Sequence, residues 1–257
     1  MKKIGLVGGT GPESTIMYYK KLNYEIDRLS EGKAMPDIAI ESVNFRRAWD
    51  YVSKNKYDLL TDYLTDRINC LISGGAEVVS LTAVTMHMVY DELSGRIRYP
   101  IVSIPKVVSE EIATAGITRV GLWGTVFTME QDFMKKDLIS EGVQVFVPNE
   151  KERELIGKRI FEELEIGIVK ESTLTELVEI INRMKEDNGI EGIILGCTEL
   201  PLILNSDNCP VRCFDAVDIH VNYSATSNRA SEQEARHCLP STGLMYDYQP
   251  YSLSIRA

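Results

Sequence analysis

The sequence contains an internal repeat, which limits the folds that the chain can adopt. Residues 5–8 (GLVG) resemble residues 121–124 (GLWG), and residues 77–81 (EVVSL) resemble residues 191–195 (EGIIL). The two pairs have nearly equal offsets along the chain, 116 and 114 residues. Each copy is a short apolar run followed by small or polar residues, as where a buried strand ends in a loop. The repeat therefore predicts a duplicated unit of strands and helices.

Apolar runs alternate with segments of helical periodicity along both halves of the chain, which favours mostly parallel sheets covered by helices. We predict an α/β fold of two similar domains, each a mostly parallel sheet flanked by helices. Ligands of such sheets bind beyond the carboxyl ends of the strands, so we place the active site in the cleft between the domains. The predicted strands are residues 3–7, 37–43, 76–81, 118–123, 143–147 and 191–195; the predicted helices are residues 13–29, 58–72 and one opened by a capping box at 173–176.

The domain limits follow from the same overlay. We expect residues 1–98, together with about 209–222, to form the first α/β domain, and residues 99–208 to form the second. Residues 223–257 show no periodicity and are interrupted by Ser, Thr, Asn and Pro. This composition predicts an irregular or disordered tail.

Charge and hydropathy exclude several classes of function. The formal net charge is −10, so the chain has no general attraction for nucleic acid. No apolar run is long enough to span a membrane, and the one after Met1 is too short for a signal peptide. We expect a cytoplasmic protein whose partner is a small molecule.

The five cysteines are scattered and odd in number, which does not indicate a disulfide framework. Cys209 and Cys213 have the spacing of a possible metal pair, with His220 nearby, but a second cysteine pair is lacking. We therefore expect no metal site.

The segment Gly196-Cys197-Thr198-Glu199, directly after a predicted buried strand, is the most informative for chemistry. A cysteine there can lie at a helix N-terminus, where the helix dipole lowers the pKa of the thiol and makes a thiolate available as base or nucleophile. The alternative is a small buried cysteine at a strand end.

The matching place in the first half is occupied by residues 81–87 (LTAVTMH). Thr85 can hydrogen-bond a carboxylate, or cap a helix. His87 can titrate near neutral pH, or be a structural residue of that helix. Both interpretations stay open from the residues alone.

Two loops that follow predicted strands and open helices are suited to holding an anion with backbone N–H groups and hydroxyls. They are residues 8–15 (GGTGPEST) and 124–130 (GTVFTME). A dinucleotide site is the rival interpretation of the first loop, but Ser14 stands where the third glycine of that fingerprint belongs. A carboxylate is the anion that we predict.

Together these motifs resemble the aspartate/glutamate racemase family. The resemblance rests on residues 8–15, residues 124–133, residues 160–164 and the intact Gly-Cys-Thr-Glu signature at 196–199, and it covers about residues 1–222. It implies proton transfer at the α-carbon of an amino acid, with no metal, no pyridoxal phosphate and no other cofactor. It also implies a homodimer and a carbanion stabilised by hydrogen bonds to the substrate carboxylate.

By this resemblance Cys197 is the catalytic thiol, and Ala83 occupies the position of its partner acid/base. The implied substrate-binding residues are Thr10, Val84, Thr85, Thr125, Thr128, Thr198, Glu199, Arg46 and Glu165.

Three features depart from the family pattern. Ala83 and Val84 stand where the family has Cys or Thr followed by Asn, so one proton donor is missing and one hydrogen-bonding side chain is lost. Glu165 stands where members with acidic substrates can carry Lys, so it would repel an acidic side chain and a neutral or basic amino acid becomes a possible substrate. Arg46 or Arg47 can still pair with a carboxylate. The family's closing helix is replaced after Asn222, which predicts uncovered apolar surface.

Three functions fit these residues. The leading one is an amino-acid racemase that uses Cys197, weak or one-sided in direction. The second is a decarboxylase with a single cysteine, which protonates a carbanion from one side. The third is an amino-acid-binding protein that kept the cleft and lost catalysis.

Overall fold

The protein forms two four-stranded parallel sheets of the same strand order. In the computed structural model, which describes residues 1–236, the N-terminal sheet has the order β2-β1-β3-β4 and the C-terminal sheet the order β6-β5-β7-β8. The strands are β1 (Ile4–Gly8), β2 (Ile38–Ser42), β3 (Val78–Leu81), β4 (Ile101–Val102), β5 (Arg119–Trp123), β6 (Gln144–Phe146), β7 (Gly192–Leu195) and β8 (Arg212–Asp215). All neighbours pair in parallel. The predicted α/β class and the duplication are confirmed.

Ten α-helices are described between and around these strands. They are α1 (Pro12–Leu29), α2 (Phe45–Ser53), α3 (Tyr57–Ser73), α4 (Tyr90–Arg96), α5 (Ile104–Thr114), α6 (Val126–Glu130), α7 (Lys136–Ser140), α8 (Glu150–Glu162), α9 (Glu171–Asn188) and α10 (Ala216–Arg236). Short 3-10 helices cover Val84–Val89, Leu164–Ile166 and Leu200–Leu202. Within residues 1–236, no helix combines the length and the apolar character that a membrane span requires.

The central strands are buried on both faces because helices cover both sides of each sheet. Every residue of β1, β3 and β7 is buried. These strands are continuous apolar runs, as expected for parallel sheets with two covered faces. Gly5 lets α3 approach the sheet, since a Cβ there would lie 3.2 Å from Cβ of Leu71. Each fully buried Leu or Ile of these layers stabilises the fold by about 1.5–3 kcal/mol.

The last helix belongs to the N-terminal sheet and corrects two predictions. Residues 223–236 are helical in α10, so the predicted irregular tail is wrong over that stretch; residues 237–257 lie outside the described part of the chain. Val221 and Ala225 are buried in one cluster with Ile4 and Tyr18, so the expected uncovered apolar surface is absent there. The polar residues at 222, 224, 226 and 227 interrupt the apolar periodicity and concealed this helix in the sequence.

Sheet membership also corrects the predicted domain limits at two strands. β4 pairs with β3 in the N-terminal sheet, although residues from 99 onward were expected in the second domain. β8 pairs with β7 in the C-terminal sheet, although residues from about 209 were expected in the first. The chain therefore crosses between the halves through α5 and again between β8 and α10. Helix α9 begins at Glu171, so Thr173 lies inside it and is not its cap.

Candidate active site

The loop after β1 offers an unpaired hydroxyl at the carboxyl edge of the N-terminal sheet. Gly9 has φ +84°, and a Cβ there would lie 2.4 Å from the carbonyl oxygen of Val43, so only glycine fits. The N–H of Gly9 donates to Oγ1 of Thr15 at 2.9 Å, which fixes the loop against α1. Oγ1 of Thr10 is buried and has no hydrogen-bond partner. This hydroxyl is free to bind a ligand carboxylate.

The segment after β3 carries the position that lacks a proton donor. Thr82 is buried, and its Oγ1 donates to the carbonyl of Val7 at 3.3 Å, so it faces away from the sheet edge. Ala83 is extended and leads into the 3-10 helix Val84–Val89. Val84 is buried in the core of the C-terminal half, with Leu122 and Phe133. Its apolar side chain therefore packs between the halves rather than binding a polar ligand.

Thr85 is partly exposed on this 3-10 helix. Unlike the hydroxyl of Thr82, which donates to a carbonyl of β1, the hydroxyl of Thr85 does not bond to the sheet.

His87 anchors the turn that carries Ala83. Its Nδ1 donates to the carbonyl of Ala83 at 3.1 Å, and its Nε2 is buried without a partner. The ring lies 5.9 Å from that of His220, edge to face. Burial lowers the pKa of His87 to about 4, so the ring is neutral at pH 7 and positions the backbone.

His220 and Tyr18 extend this buried group and were not predicted from the sequence. Nε2 of His220 donates to the carbonyl of Val102 at 3.0 Å, and its Nδ1 accepts from the Tyr18 hydroxyl at 2.8 Å. Burial, and then the neighbouring His87, lower the pKa of His220 to about 3. The group ties α1, β4 and α10 to the turn at Ala83. Their wide separation in sequence hid it.

The loop after β5 presents two threonines at the edge of the C-terminal sheet. Oγ1 of Thr125 accepts from the N–H of Thr128 at 3.2 Å and caps α6. The two hydroxyls are 3.0 Å apart, so Thr128 is held by Thr125. Thr128 is 1% exposed, whereas Thr125 is partly exposed. Of the pair, Thr125 is the better placed to reach a ligand.

Cys197 lies two residues after the end of β7, and its thiol is hydrogen-bonded to a carboxylate. The N–H of Gly196 donates to the carbonyl of Trp123 at 2.7 Å, and a Cβ at Gly196 would lie 2.8 Å from that oxygen. The two strand ends are therefore joined beside the thiol. Sγ of Cys197 donates to Oε2 of Glu199 at 2.8 Å.

The electrostatics of this thiol differ from the prediction. Burial, and then the charge of Glu199, hold the pKa of Cys197 well above its usual range. The segment after Cys197 is a turn followed by the three-residue 3-10 helix Leu200–Leu202, so the expected helix dipole is absent. The thiol is protonated, with a carboxylate positioned to take the proton.

A second carboxylate lies near the first. Partial desolvation and the charge of Glu199 raise the pKa of the exposed Glu165. Its 3-10 helix is anchored by buried Glu163, which accepts from Thr173 at 2.6 Å and from Lys170 at 3.0 Å and pairs with Arg159 at 2.7 Å. This ion cluster fixes the residue that precedes the 3-10 helix of Glu165.

Thr198 lies between Cys197 and Glu199 in the turn and is partly exposed.

The two arginines after β2 have different environments. Arg46 is exposed on the first turn of α2. Arg47 donates from Nε to the Tyr51 hydroxyl at 3.0 Å and stacks 4.5 Å from the centre of the Tyr63 ring. Arg47 is therefore held by aromatic side chains, and Arg46 is the freer cation at this edge of the N-terminal sheet.

Contacts between the halves bring the two sheet edges together. Phe127 of α6 packs against the core clusters of both halves, as does Met88. Helix α6 and the 3-10 helix Val84–Val89 are in contact. The 3-10 helix that begins after Ala83 thus contacts the helix that Thr125 caps, and a Cβ at Gly124 would lie 3.1 Å from the carbonyl of Gly196. The loop of Thr125 therefore neighbours both the segment after Ala83 and the segment that leads to Cys197.

Comparisons with known proteins agree with this arrangement. The family model described as Asp/Glu/Hydantoin racemase matches residues 7–224, which span both sheets. The chain belongs to this family. Among the residues that the structure describes, no group of three or more His, Cys, Asp or Glu side chains is arranged to hold a metal ion.

Solved structures of family members share the architecture. A crystal structure of a putative Asp/Glu racemase from Yersinia pestis is 33% identical, with a TM-score of 0.83, over 88% of this chain and 99% of that one. An aspartate racemase homologue from Pyrococcus horikoshii is 38% identical, with a TM-score of 0.80, over 90% of this chain and 100% of that one. Arylmalonate decarboxylase shares the fold at 17% identity, with a TM-score of 0.50, over 88% of this chain and 91% of that one.

Proposed function

We propose that this racemase-family protein is a cofactor-independent enzyme that moves the α-proton of an amino acid with Cys197 as its thiol acid/base. The observation that carries the proposal is the 2.8 Å hydrogen bond from the Cys197 thiol to Glu199. A thiol becomes a base only after losing its proton, and a carboxylate at hydrogen-bond distance can accept it. Glu199 is thus assigned as the group that activates Cys197.

The substrate carboxylate is assigned to the hydroxyls of the two strand-end loops. Thr10 has a buried oxygen without a partner, and Thr125 is partly exposed at the facing edge. Thr198, beside the thiol, is the third hydroxyl. Hydrogen bonds to this carboxylate stabilise the negative charge that develops when the α-proton leaves.

Proton transfer is expected to be strongly one-sided. The Cys197 thiolate removes the proton from one face, and the same thiol, or one exchanged with solvent, returns it to that face. Inversion needs a donor on the other face, where Ala83 has none and Thr82 is bonded to Val7. Thr85 is the remaining hydroxyl of that segment and a weak acid. We therefore expect rapid α-proton exchange of one enantiomer and slow inversion.

The charge of the thiol side favours a substrate without an acidic side chain. The negative charge of Glu199 raises the pKa of Glu165, and the charges of both carboxylates raise the pKa of Cys197. A third carboxylate beside them would be repelled, whereas a neutral or cationic side chain would not be. We propose a neutral or basic amino acid as the substrate class. A homodimer, as expected from the resemblance, stays a prediction.

A decarboxylase is the second candidate because one thiol without an opposing donor suits protonation of a carbanion from a single face. The shared fold of arylmalonate decarboxylase supports it. The two carboxylates beside Cys197 oppose it, since a malonic acid derivative is a dianion. Amino acids therefore remain the preferred substrates.

Proton NMR in heavy water tests the proposal. Each enantiomer of aspartate, glutamate and a panel of neutral and basic amino acids is incubated with the protein, and the α-proton signal and chirality are followed. We expect loss of the signal for one enantiomer of a neutral or basic amino acid, and no loss with Cys197→Ser. If no amino acid exchanges, and isothermal titration shows binding that survives Cys197→Ser, the protein is a binding protein.

A further inference from the structure

A second thiol site lies at the opposite end of the C-terminal sheet from Cys197. Cys213 is in β8 and pairs in register with Ile193 near the start of β7, whereas Cys197 follows the end of β7. At about 3.3 Å per residue the two places are ~13 Å apart along the strand direction. Cys209 precedes β8 and packs, like Cys213, against the core of this half. The proton-transfer site does not use this pair.

A tight turn holds the two sulphur atoms together. The carbonyl of Asn205 accepts from the Cys209 N–H at 3.1 Å and lies 3.8 Å from Sγ of Cys213. Oδ1 of Asn208 accepts from the Asn205 N–H at 2.9 Å, which closes the turn. The Cys213 thiol and the backbone N–H of Cys209 therefore meet at one carbonyl oxygen. Both residues are partly exposed, so small molecules can reach them.

The contacts around the two sulphurs are unequal. The Cys213 thiol, the backbone N–H of Val211 and the Lys185 ammonium all favour the thiolate form of Cys209. Nζ of Lys185 is fixed by donating to the carbonyl of Pro210 at 3.1 Å. These contacts lower the pKa of Cys209 to about 7, and the hydrogen bond to Cys209 raises that of Cys213. A thiol whose pKa is near the ambient pH is the best attacking group in thiol–disulfide exchange.

We propose that Cys209 and Cys213 form a reversible thiol–disulfide site that reacts with low-molecular-weight disulfides such as oxidised glutathione. The Cys209 thiolate attacks one glutathione sulphur, and the other leaves as a thiolate that takes up a proton. The Cys213 thiol then loses its proton and attacks the Cys209 sulphur, which expels the second glutathione. Two protein thiols are oxidised, and the glutathione disulfide is reduced to two thiols.

Peptide mapping of the full chain tests this site. The reduced protein is incubated with a series of reduced-to-oxidised glutathione ratios, quenched by alkylation and digested with trypsin. Cleavage after Arg212 separates Cys209, in residues 186–212, from Cys213, in residues 213–229. We expect these peptides to be recovered as one disulfide-linked species that fragmentation assigns to Cys209, and that excess reduced glutathione separates again.

Two variants define the roles of the pair. Cys213→Ser leaves the attacking thiol without its partner and should accumulate a stable glutathione adduct on Cys209. Cys209→Ser should lose at least tenfold in the rate of glutathione incorporation at this site. Lys185→Gln should slow the reaction severalfold, whereas Lys158→Gln, an exposed lysine of α8, should not change it.

The proposal is overturned if the wild-type protein oxidises first at Cys197 or Cys70, or if a mixed disulfide persists on Cys209 although Cys213 is free. Mapping of the wild-type protein decides this even if a variant fails to fold. The experiment detects disulfide-linked peptides and does not measure enzymatic activity. Its result therefore does not depend on whether the reaction proposed at Cys197 takes place.

Discussion

Acid should weaken the N-terminal half of the protein through its two buried histidines. His87 and His220 are 1% and 0% exposed, and burial lowers their pKa values to about 4 and about 3. In the unfolded chain both rings return to the ordinary value of about 6.5. Between these values the unfolded chain binds protons that the native protein does not. The free energy of unfolding therefore falls as the pH drops below about 6.5.

The size of the effect follows from proton linkage. From pH 7 to pH 5, each histidine protonates in the unfolded chain and not in the native one, which costs about 2 kcal/mol per residue. Asp215 opposes this loss, because burial, and then the charge of Asp218, raise its pKa to about 6. The native protein gains about 1 kcal/mol from that group over the same range. The expected net loss is about 2–3 kcal/mol.

Urea unfolding at pH 7 and pH 5, at constant ionic strength and followed by circular dichroism, measures this loss. His87→Gln is the informative variant, because it removes one titrating ring whatever it does to stability at pH 7. Its change in unfolding free energy between the two pH values should be smaller than that of the wild type by about 2 kcal/mol. If the wild type and His87→Gln lose the same free energy, the buried neutral state assigned to His87 is incorrect.

Three further results are expected at the thiol site. Glu199→Gln should lower the pKa of Cys197 toward its ordinary value, seen as faster alkylation by iodoacetamide at neutral pH. An ordinary thiol is still mostly protonated at that pH, so the loss of the carboxylate that takes its proton should reduce α-proton exchange by about 10²-fold, in the range of a lost general base. Ala83→Cys should supply the missing donor, so that inversion approaches the rate of exchange when both are measured in heavy water. Glu165→Lys should shift the ratio of kcat/KM for glutamate over a neutral amino acid upward by about tenfold or more, equal to ~1.4 kcal/mol.

Each of these results has a control. Glu162→Gln, on exposed α8, should leave alkylation of Cys197 unchanged. Ala83→Ser carries a hydroxyl rather than a thiol and should restore less inversion than Ala83→Cys. Glu165→Gln removes the charge without reversing it and should give an intermediate selectivity. Unchanged alkylation in Glu199→Gln would contradict the coupling of the two groups, and inversion at the wild-type rate in Ala83→Cys would mean that residue 83 does not face the substrate.

Most strands and the thiol position were predictable because both follow from local patterns. Short apolar runs between helical segments indicated six of the eight strands, and the repeat predicted that the two sheets match. β4 was missed because two residues carry no periodicity, and β8 because Arg212 and Asp215 interrupt its apolar character.

The electrostatics of the site were not predictable, because they depend on contacts between distant residues. The sequence suggested a lowered pKa for Cys197 from an adjacent helix, but the helix is a short 3-10 turn and Glu199 folds back onto the thiol. The hydrogen bond between Tyr18 and His220 connects residues that are 202 positions apart, and no local pattern indicates it. Thr82 is the reverse case: side chains alternate between the two faces of a strand, so its place next to Ala83 predicts that it faces away, in agreement with its bond to Val7.

The chain path through α5 and α10 has a consequence for folding during synthesis. The C-terminal sheet is assembled from one continuous stretch, residues 119–215, whereas the N-terminal sheet is covered by α10, which the ribosome makes after that stretch. Until α10 emerges, Ile4, Tyr18 and Leu22 lack part of their apolar cover. The half that is synthesised first is therefore completed last, and the nascent chain must hold an open hydrophobic face while its second half folds.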